Sequence, residues 1–258
     1  MLMVVSPAKD LDFASKAPEV SSTQPTLLAH SSELINVCRE LKPVELSQLM
    51  HISDKLAGLN AARFAQWQLP FTTDNAKPAL FAFNGDVYQG LDAASLTHAQ
   101  VQYAQQKLRI LSGLYGVLKP LDLMQPYRLE MGTALANTRG QNLYQFWGDL
   151  VTQELNQQLE HLNAPVLLDL ASQEYFKAVK PKLLAKPVVK VQFRDFKNGE
   201  YKIISFFAKK ARGMMARYVI TEQVDQVAGL KEFQLGGYQF DAASSSADEL
   251  VFLRRLAD

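Results

Sequence analysis

Cysteine is nearly missing from this 258-residue chain, in which Cys38 stands alone. A single thiol excludes an internal disulfide and any zinc site built on cysteines. The four histidines, His30, His51, His98 and His161, are equally unhelpful for a metal. None has an acid three residues before it and no two lie four apart, so the E-x-x-H di-iron and H-x-x-x-H patterns are missing. A site assembled from distant residues stays open, but the expectation is no cofactor and no stoichiometric metal. Long apolar runs are also lacking, and nothing approaches the ~18 residues of a membrane span. The opening Met1 to Val5 is followed by Ser6-Pro7 and has no basic flank, unlike a signal peptide. A cytoplasmic protein with no membrane partner is expected.

The common catalytic and phosphate-cradling loops are absent too. There is no G-x-x-x-x-G-K-[ST], no G-x-G-x-x-G and no G-x-S-x-G. Gly113-Leu-Tyr-Gly116 matches a bare GXXG, a pattern too common to indicate a KH loop. No repeat, low-complexity stretch or Gly/Ser linker interrupts the chain. With 48% hydrophobic and 21% charged residues it is an ordinary globular sequence, and we read residues 1–258 as one domain.

Periodicity predicts a buried strand over Met1–Val5, a helix over Pro25–Leu41, a strand over Ala79–Phe83 and a helix over Ala99–Leu111. Gln125–Met131 reads as extended and Leu143–Leu162 as one long amphipathic helix. Val166–Leu170 reads as a strand, with Ser172 placed to cap a helix over Gln173–Val179. Val188–Arg194 and Tyr201–Phe207 read as strands joined through Asn198-Gly199, because both turn residues tolerate the positive φ of a type I′ hairpin. Phe206–Val224 reads as helix. The fold class is therefore mixed α/β (α+β): one compact domain with a mixed sheet surrounded by helices.

Charge is segregated. Residues 177–217 hold twelve Lys/Arg against only Asp195 and Glu200, a balance of +10, whereas the remainder carries −9. That pattern fits a polyanionic partner, although solvated surface lysines would give the same count. On the helix from Phe206, 100° per residue puts Lys209, Lys210, Arg212 and Arg217 on one arc, with Phe207, Ala211, Met214, Met215 and Tyr218 opposite.

Leu46-Ser-Gln-Leu-Met-His-Ile-Ser-Asp-Lys-Leu-Ala57 is similar to helix-hairpin-helix DNA-binding motifs of the form L-x-x-L-P-G-I-G-P-K-T-A. In such an element, placed at about residues 44–67, the second helix offers free backbone N–H groups to a phosphate, and Lys55 adds a charge-assisted contact. The two hairpin glycines are His51 and Ser53 here; Ser53 is a good N-cap. An ordinary pair of helices packing Leu46, Leu49, Ile52, Leu56 and Leu59 is the rival reading.

Further segments carry a family resemblance: Ser6-Pro-Ala-Lys9, Ser112–Met131, Leu143-Tyr-Gln-Phe-Trp-Gly-Asp149, Ala171-Ser-Gln-Glu-Tyr-Phe-Lys177, Lys209-Lys-Ala-Arg-Gly213 and Gly237-Tyr-Gln-Phe-Asp241. Together with the hairpin stretch they resemble the YaaA family of bacterial peroxide-stress proteins along essentially the whole chain. The resemblance implies resistance to hydrogen peroxide, low unincorporated intracellular iron and a link to DNA repair. It also implies binding of double-stranded or branched DNA, without strong sequence preference, through a basic cleft and the hairpin. The expected DNA-binding residues are Ser53, Lys55, Lys209, Lys210, Arg212 and Arg217; the resemblance supplies no catalytic set.

A second reading is an enzyme acting on a nucleotide or nucleic acid. Ser6 and Lys9 follow the first strand, Ser172, Glu174 and Lys177 follow Val166–Leu170, and Arg128 and Glu130 share a strand face. Loops at the carboxyl ends of strands are where α/β proteins place ligands. Direct iron sequestration lacks ligand spacing, so an indirect effect on iron is expected.

Overall fold

The computed structural model describes residues 1–255. Its strands are β1 (Leu2–Val5), β2 (Lys77–Pro78), β3 (Leu108–Ser112), β4 (Gly116–Leu118), β5 (Leu123–Met124), β6 (Leu167–Leu170), β7 (Val188–Lys197), β8 (Glu200–Lys202), β9 (Gln239–Phe240) and β10 (Glu249–Arg254). The α-helices are α1 (Leu28–Arg39), α2 (Pro43–Met50), α3 (Asp54–Gln66), α4 (Ala79–Ala82), α5 (Asp86–Leu91), α6 (His98–Lys107), α7 (Leu143–Trp147), α8 (Leu150–His161), α9 (Gln173–Phe176), α10 (Ser205–Thr221) and α11 (Val227–Leu230). They form a single mixed α/β domain.

The main sheet runs β4-β3-β1-β6-β7-β10-β9, with β8 paired to β7. Strands β3, β1, β6, β7 and β10 are mutually parallel; β4, β8 and β9 are antiparallel additions. Every residue of β1, β3 and β6 is buried, as expected for parallel strands covered on both faces. Counted in chain order, the parallel strands follow the 2-1-3-4-5 order of many doubly wound sheets. The direction of winding reverses between β1 and β6, the position at which such sheets open a ligand crevice.

The Ser112–Met131 block is mostly buried and largely irregular, so its polar groups must find partners inside. The Tyr115 hydroxyl donates to the Gln125 carbonyl (3.1 Å) and accepts from the Gln125 N–H (3.0 Å) and Trp67 Nε1 (3.1 Å). Ser112 Oγ meets the Tyr127 hydroxyl at 2.6 Å and accepts the Tyr115 N–H, while Trp147 Nε1 donates to the Gly113 carbonyl. The most distinctive stretch of the sequence is thus largely occupied in holding its own backbone.

Several expectations need correction. Ala79–Ala82 is helical, not a strand; a four-residue apolar run has no period by which to choose. The helix predicted to reach Leu111 ends at Lys107, and Leu108–Ser112 is strand β3. No glycine or proline marks the change there. The helix over Leu143–Leu162 breaks at Gly148, whose φ of 50° no helix accepts, leaving α7 and α8. Gln125–Glu130 makes no strand pairing. The hairpin forms as expected, with Asn198 at φ 56° and Gly199 at φ 88°, but β8 is short and α10 already begins at Ser205.

Candidate functional site

Strands β1 and β6 end level with each other, Val5 opposite Leu170. This brings Ser6 and Ser172 together, although 166 residues separate them. Ser6 Oγ accepts the Ser172 N–H at 2.8 Å and donates to Ser172 Oγ at 3.3 Å. Ser172 does occupy the N-cap position of α9, but its side chain makes no capping bond. From above, the Tyr88 hydroxyl of α5 donates to the Ser6 carbonyl. Asn84 donates to the Asp10 carboxylate, and Gly85 lies so near Ala8 that an added Cβ would stand 2.9 Å from its methyl.

Lys9, Arg128 and Glu130 also lie together, although Arg128 and Glu130 are not on a strand. Lys9 Nζ lies 2.8 Å from one oxygen of Glu130, and Arg128 Nη2 lies 3.3 Å from the other. Arg128 Nε is buried without a partner among the described residues. A further guanidinium, Arg63 of α3, stands close by. Its pKa is lowered by burial and by the charge of Arg128, with Asp10 opposing. Glu174 accepts the Gly132 N–H at 2.9 Å. Lys177 lies over the Tyr144 ring, 4.8 Å from its centroid.

Sequence reasoning missed the group at the centre. Asp169 sits in β6, buried, beside Val4 of β1 and Lys190 of β7. Burial pushes its pKa up to about 7, against the Ala171 N–H that Oδ1 accepts and the charges of Arg212 and Lys190. Its signal was an acid inside the apolar run Val166-Leu-Leu-Asp-Leu170, where carboxylates are scarce.

The cations of α10 divide. Lys209 and Lys210 are exposed, and neither has an acid within 4.0 Å among the described residues. Arg212 is half-buried and turned toward Asp169. Arg217 Nη1 donates to the carbonyls of Leu91 (3.0 Å) and Asp92 (2.9 Å), closing the end of α5. The four therefore do not share one solvent arc. The buried face is Ala208, Ala211, Gly213, Met215, Ala216, Val219 and Ile220, while Phe207, Met214 and Tyr218 are only half-buried. The stripe is rotated because α5 packs on the small residues of α10.

The turn between α2 and α3 is His51-Ile52-Ser53. His51 takes φ 52° and ψ 51°, the left-handed conformation that a hairpin glycine would supply. Ser53 caps α3 by accepting the Leu56 N–H, and Lys55 is exposed in the first turn. A cavity of about 970 Å³ lies between the Phe13–Ser22 loop, the end of α3 and Thr73–Pro78, with Arg63, Gln125 and Pro126 in its wall.

Among the described residues, no three His, Cys, Asp or Glu side chains cluster to hold a metal, and no helix is long and apolar enough to cross a membrane. A family model described as peroxide stress protein YaaA matches residues 1–244. The chain is 60% identical to a UPF0246 protein of Idiomarina loihiensis over 254 residues, 98% of each chain. It is 59% identical to UPF0246 proteins of Aliivibrio fischeri and of Shewanella loihica over the same shares. A match of this extent, in the chain that carries all these groups, places it in the YaaA family of peroxide stress proteins.

Proposed function

We propose that this member of a peroxide stress family works by binding double-stranded or branched DNA without strong sequence preference, in support of repair, and that its link to low intracellular iron is indirect. The observation that carries the reading is the pair Lys209 and Lys210, exposed and without acidic partners among the described residues, inside a segment of charge +10. Unpaired lysines on one helix turn suit phosphates, which offer charge and no sequence. Lys55, exposed in the first turn of α3, adds a second phosphate contact.

The test is a salt-titrated binding assay on duplex, single-stranded and junction DNA with the wild type and a Lys209→Ala/Lys210→Ala variant. Affinity is expected to fall steeply with salt, by roughly 10³–10⁵ between 50 and 200 mM for 6–10 phosphate contacts. The variant should bind more weakly with a shallower slope. Absence of binding at low salt, or a variant with wild-type affinity, defeats the reading.

A further inference from the structure

We propose that the crevice at the carboxyl ends of β1 and β6 binds a small phosphomonoester that carries hydroxyl groups beside its phosphate, such as a sugar phosphate or mononucleotide, between Arg212 and Asp169. This goes beyond DNA binding and does not depend on it.

Three observations converge. The first is topological: the site lies at the switch point of the parallel strands, the position where sheets of this order place their ligands. The second is that segments far apart in sequence meet there. Ser6 comes from the loop after β1, Asp169 and Ser172 from the end of β6, and Arg212 from α10, which packs on β1, β6 and β7. Lys9, Arg128 and Glu130 form a second charged cluster in the loops beyond β1 and β5, with one more positive than negative charge.

The third is an ion pair that is not made. Elsewhere in the same molecule, buried Asp195 shows a satisfied carboxylate: Arg254 Nε donates to one oxygen at 2.6 Å and the Tyr238 hydroxyl to the other at 2.8 Å. Asp169 is comparably buried yet receives only the Ala171 N–H on Oδ1. Arg212 faces it with no hydrogen bond and no acid within 4.0 Å among the described residues. Neither the second oxygen of Asp169 nor any nitrogen of Arg212 is both buried and unpartnered, so these two opposite charges stop short of contact while each keeps polar atoms open to an incoming ligand. A ligand between them supplies what each lacks: an anionic acceptor for the guanidinium and a donor for the carboxylate. The Ser172 hydroxyl, which accepts from Ser6, keeps its own proton free to join the anionic side.

That chemistry also separates a free small molecule from DNA. A phosphodiester backbone has acceptors only, so its phosphate beside Asp169 would meet a carboxylate with nothing to donate to it. A sugar phosphate brings hydroxyls. The poise of Asp169 near neutrality further suits it to share or take a hydroxyl proton.

Calorimetric titration of the full chain with ribose 5-phosphate, adenosine monophosphate and sulfate tests the site. Wild type should bind at least one of the two phosphomonoesters. Arg212→Met should weaken it at least tenfold, and Ser172→Ala, a milder change at a hydroxyl that bonds only Ser6, severalfold. Asp169→Asn should separate the probes, weakening the hydroxylated ligand while leaving or improving sulfate, which has no donor. Circular dichroism confirms that each variant is folded; a misfolded Arg212 or Asp169 variant leaves Ser172→Ala to decide. Binding of neither phosphomonoester, equal affinities in Ser172→Ala and wild type, or full displacement of the ligand by duplex DNA overturns the proposal. The last result would assign the crevice to the DNA backbone.

Discussion

Gly213 presses against Val87: a methyl group on its α carbon would stand 1.8 Å from the Val87 carbonyl oxygen. The reciprocal contact is Gly90, whose added Cβ would lie 2.1 Å from the Lys210 carbonyl oxygen. Helices α5 and α10 thus meet backbone to backbone, with a glycine on each side. Because both obstacles are main-chain atoms, no rotamer change relieves them. Gly213→Ala is expected to cost about 3 kcal/mol despite the better helix propensity of alanine. Gly58→Ala, in open space on α3, should gain roughly 0.5–1 kcal/mol. Urea denaturation of both variants measures the difference; equal midpoints would show that α5 can retreat.

Arg217 and the lysine pair should behave oppositely. Arg217→Ala removes two donors from the carbonyls that end α5. It should lower stability by about 1–2 kcal/mol. Lys209→Ala/Lys210→Ala should stay within about 0.5 kcal/mol of wild type while losing DNA affinity. Thermal unfolding and DNA titration on the same preparations separate the two; a stable Arg217→Ala with lost DNA affinity would return Arg217 to the interface.

Asp169 and Asp122 give the ligand-free protein a pH signature. Burial holds their pKa values up at about 7 and about 6, so the folded state keeps protons that the unfolded chain releases near the ordinary 3.8. Facing Asp169 are Arg212 of α10 and Lys190 of β7, both of which oppose the shift. Between roughly pH 4 and 7 the folded state binds more protons, so these groups make stability fall as pH rises through that window. Asp169→Asn should flatten the loss and stabilise the protein at pH 8 by about 2–4 kcal/mol relative to pH 5. Denaturation curves at pH 5, 6.5 and 8 check it; an unchanged slope would mean that Asp169 is ionised throughout.

Lys55→Glu places an acid in the first turn of α3, where the helix dipole favours negative charge. Stability should be unchanged or slightly raised, while DNA binding weakens. A fold that melts early, or DNA affinity equal to wild type, would leave α2 and α3 as an ordinary packed pair.

What the sequence disclosed depended on whether the signal was local. Asn198-Gly199 specified its turn because both residues take positive φ with little strain. His51 takes the same conformation without the glycine that would have advertised it. Strand β3 escaped detection because Leu108-Arg-Ile-Leu-Ser112 continues the helical run before it, and only pairing with β1 on one side and β4 on the other makes it a strand. Ser6 and Ser172 were legible as residues after strands, but their contact follows from strand order. The inward turn of Arg212 depends on which face of α10 meets its neighbours, and that is set by the contact of Gly213, beside it on α10, with Gly90 on α5, more than a hundred residues away.

The central position of β1 has a consequence for synthesis. Leu2–Val5 pairs with Leu108–Ser112 on one side and Leu167–Leu170 on the other. At about 5–20 residues per second, the ribosome needs roughly ten to thirty seconds to deliver the second partner. Throughout that interval a fully apolar strand has at least one open edge, a template for pairing with other chains. A chain of a peroxide stress family thus carries an apolar strand whose partners are made long after it, and its yield in the cell will depend on how well that strand is sheltered until residue 170 arrives.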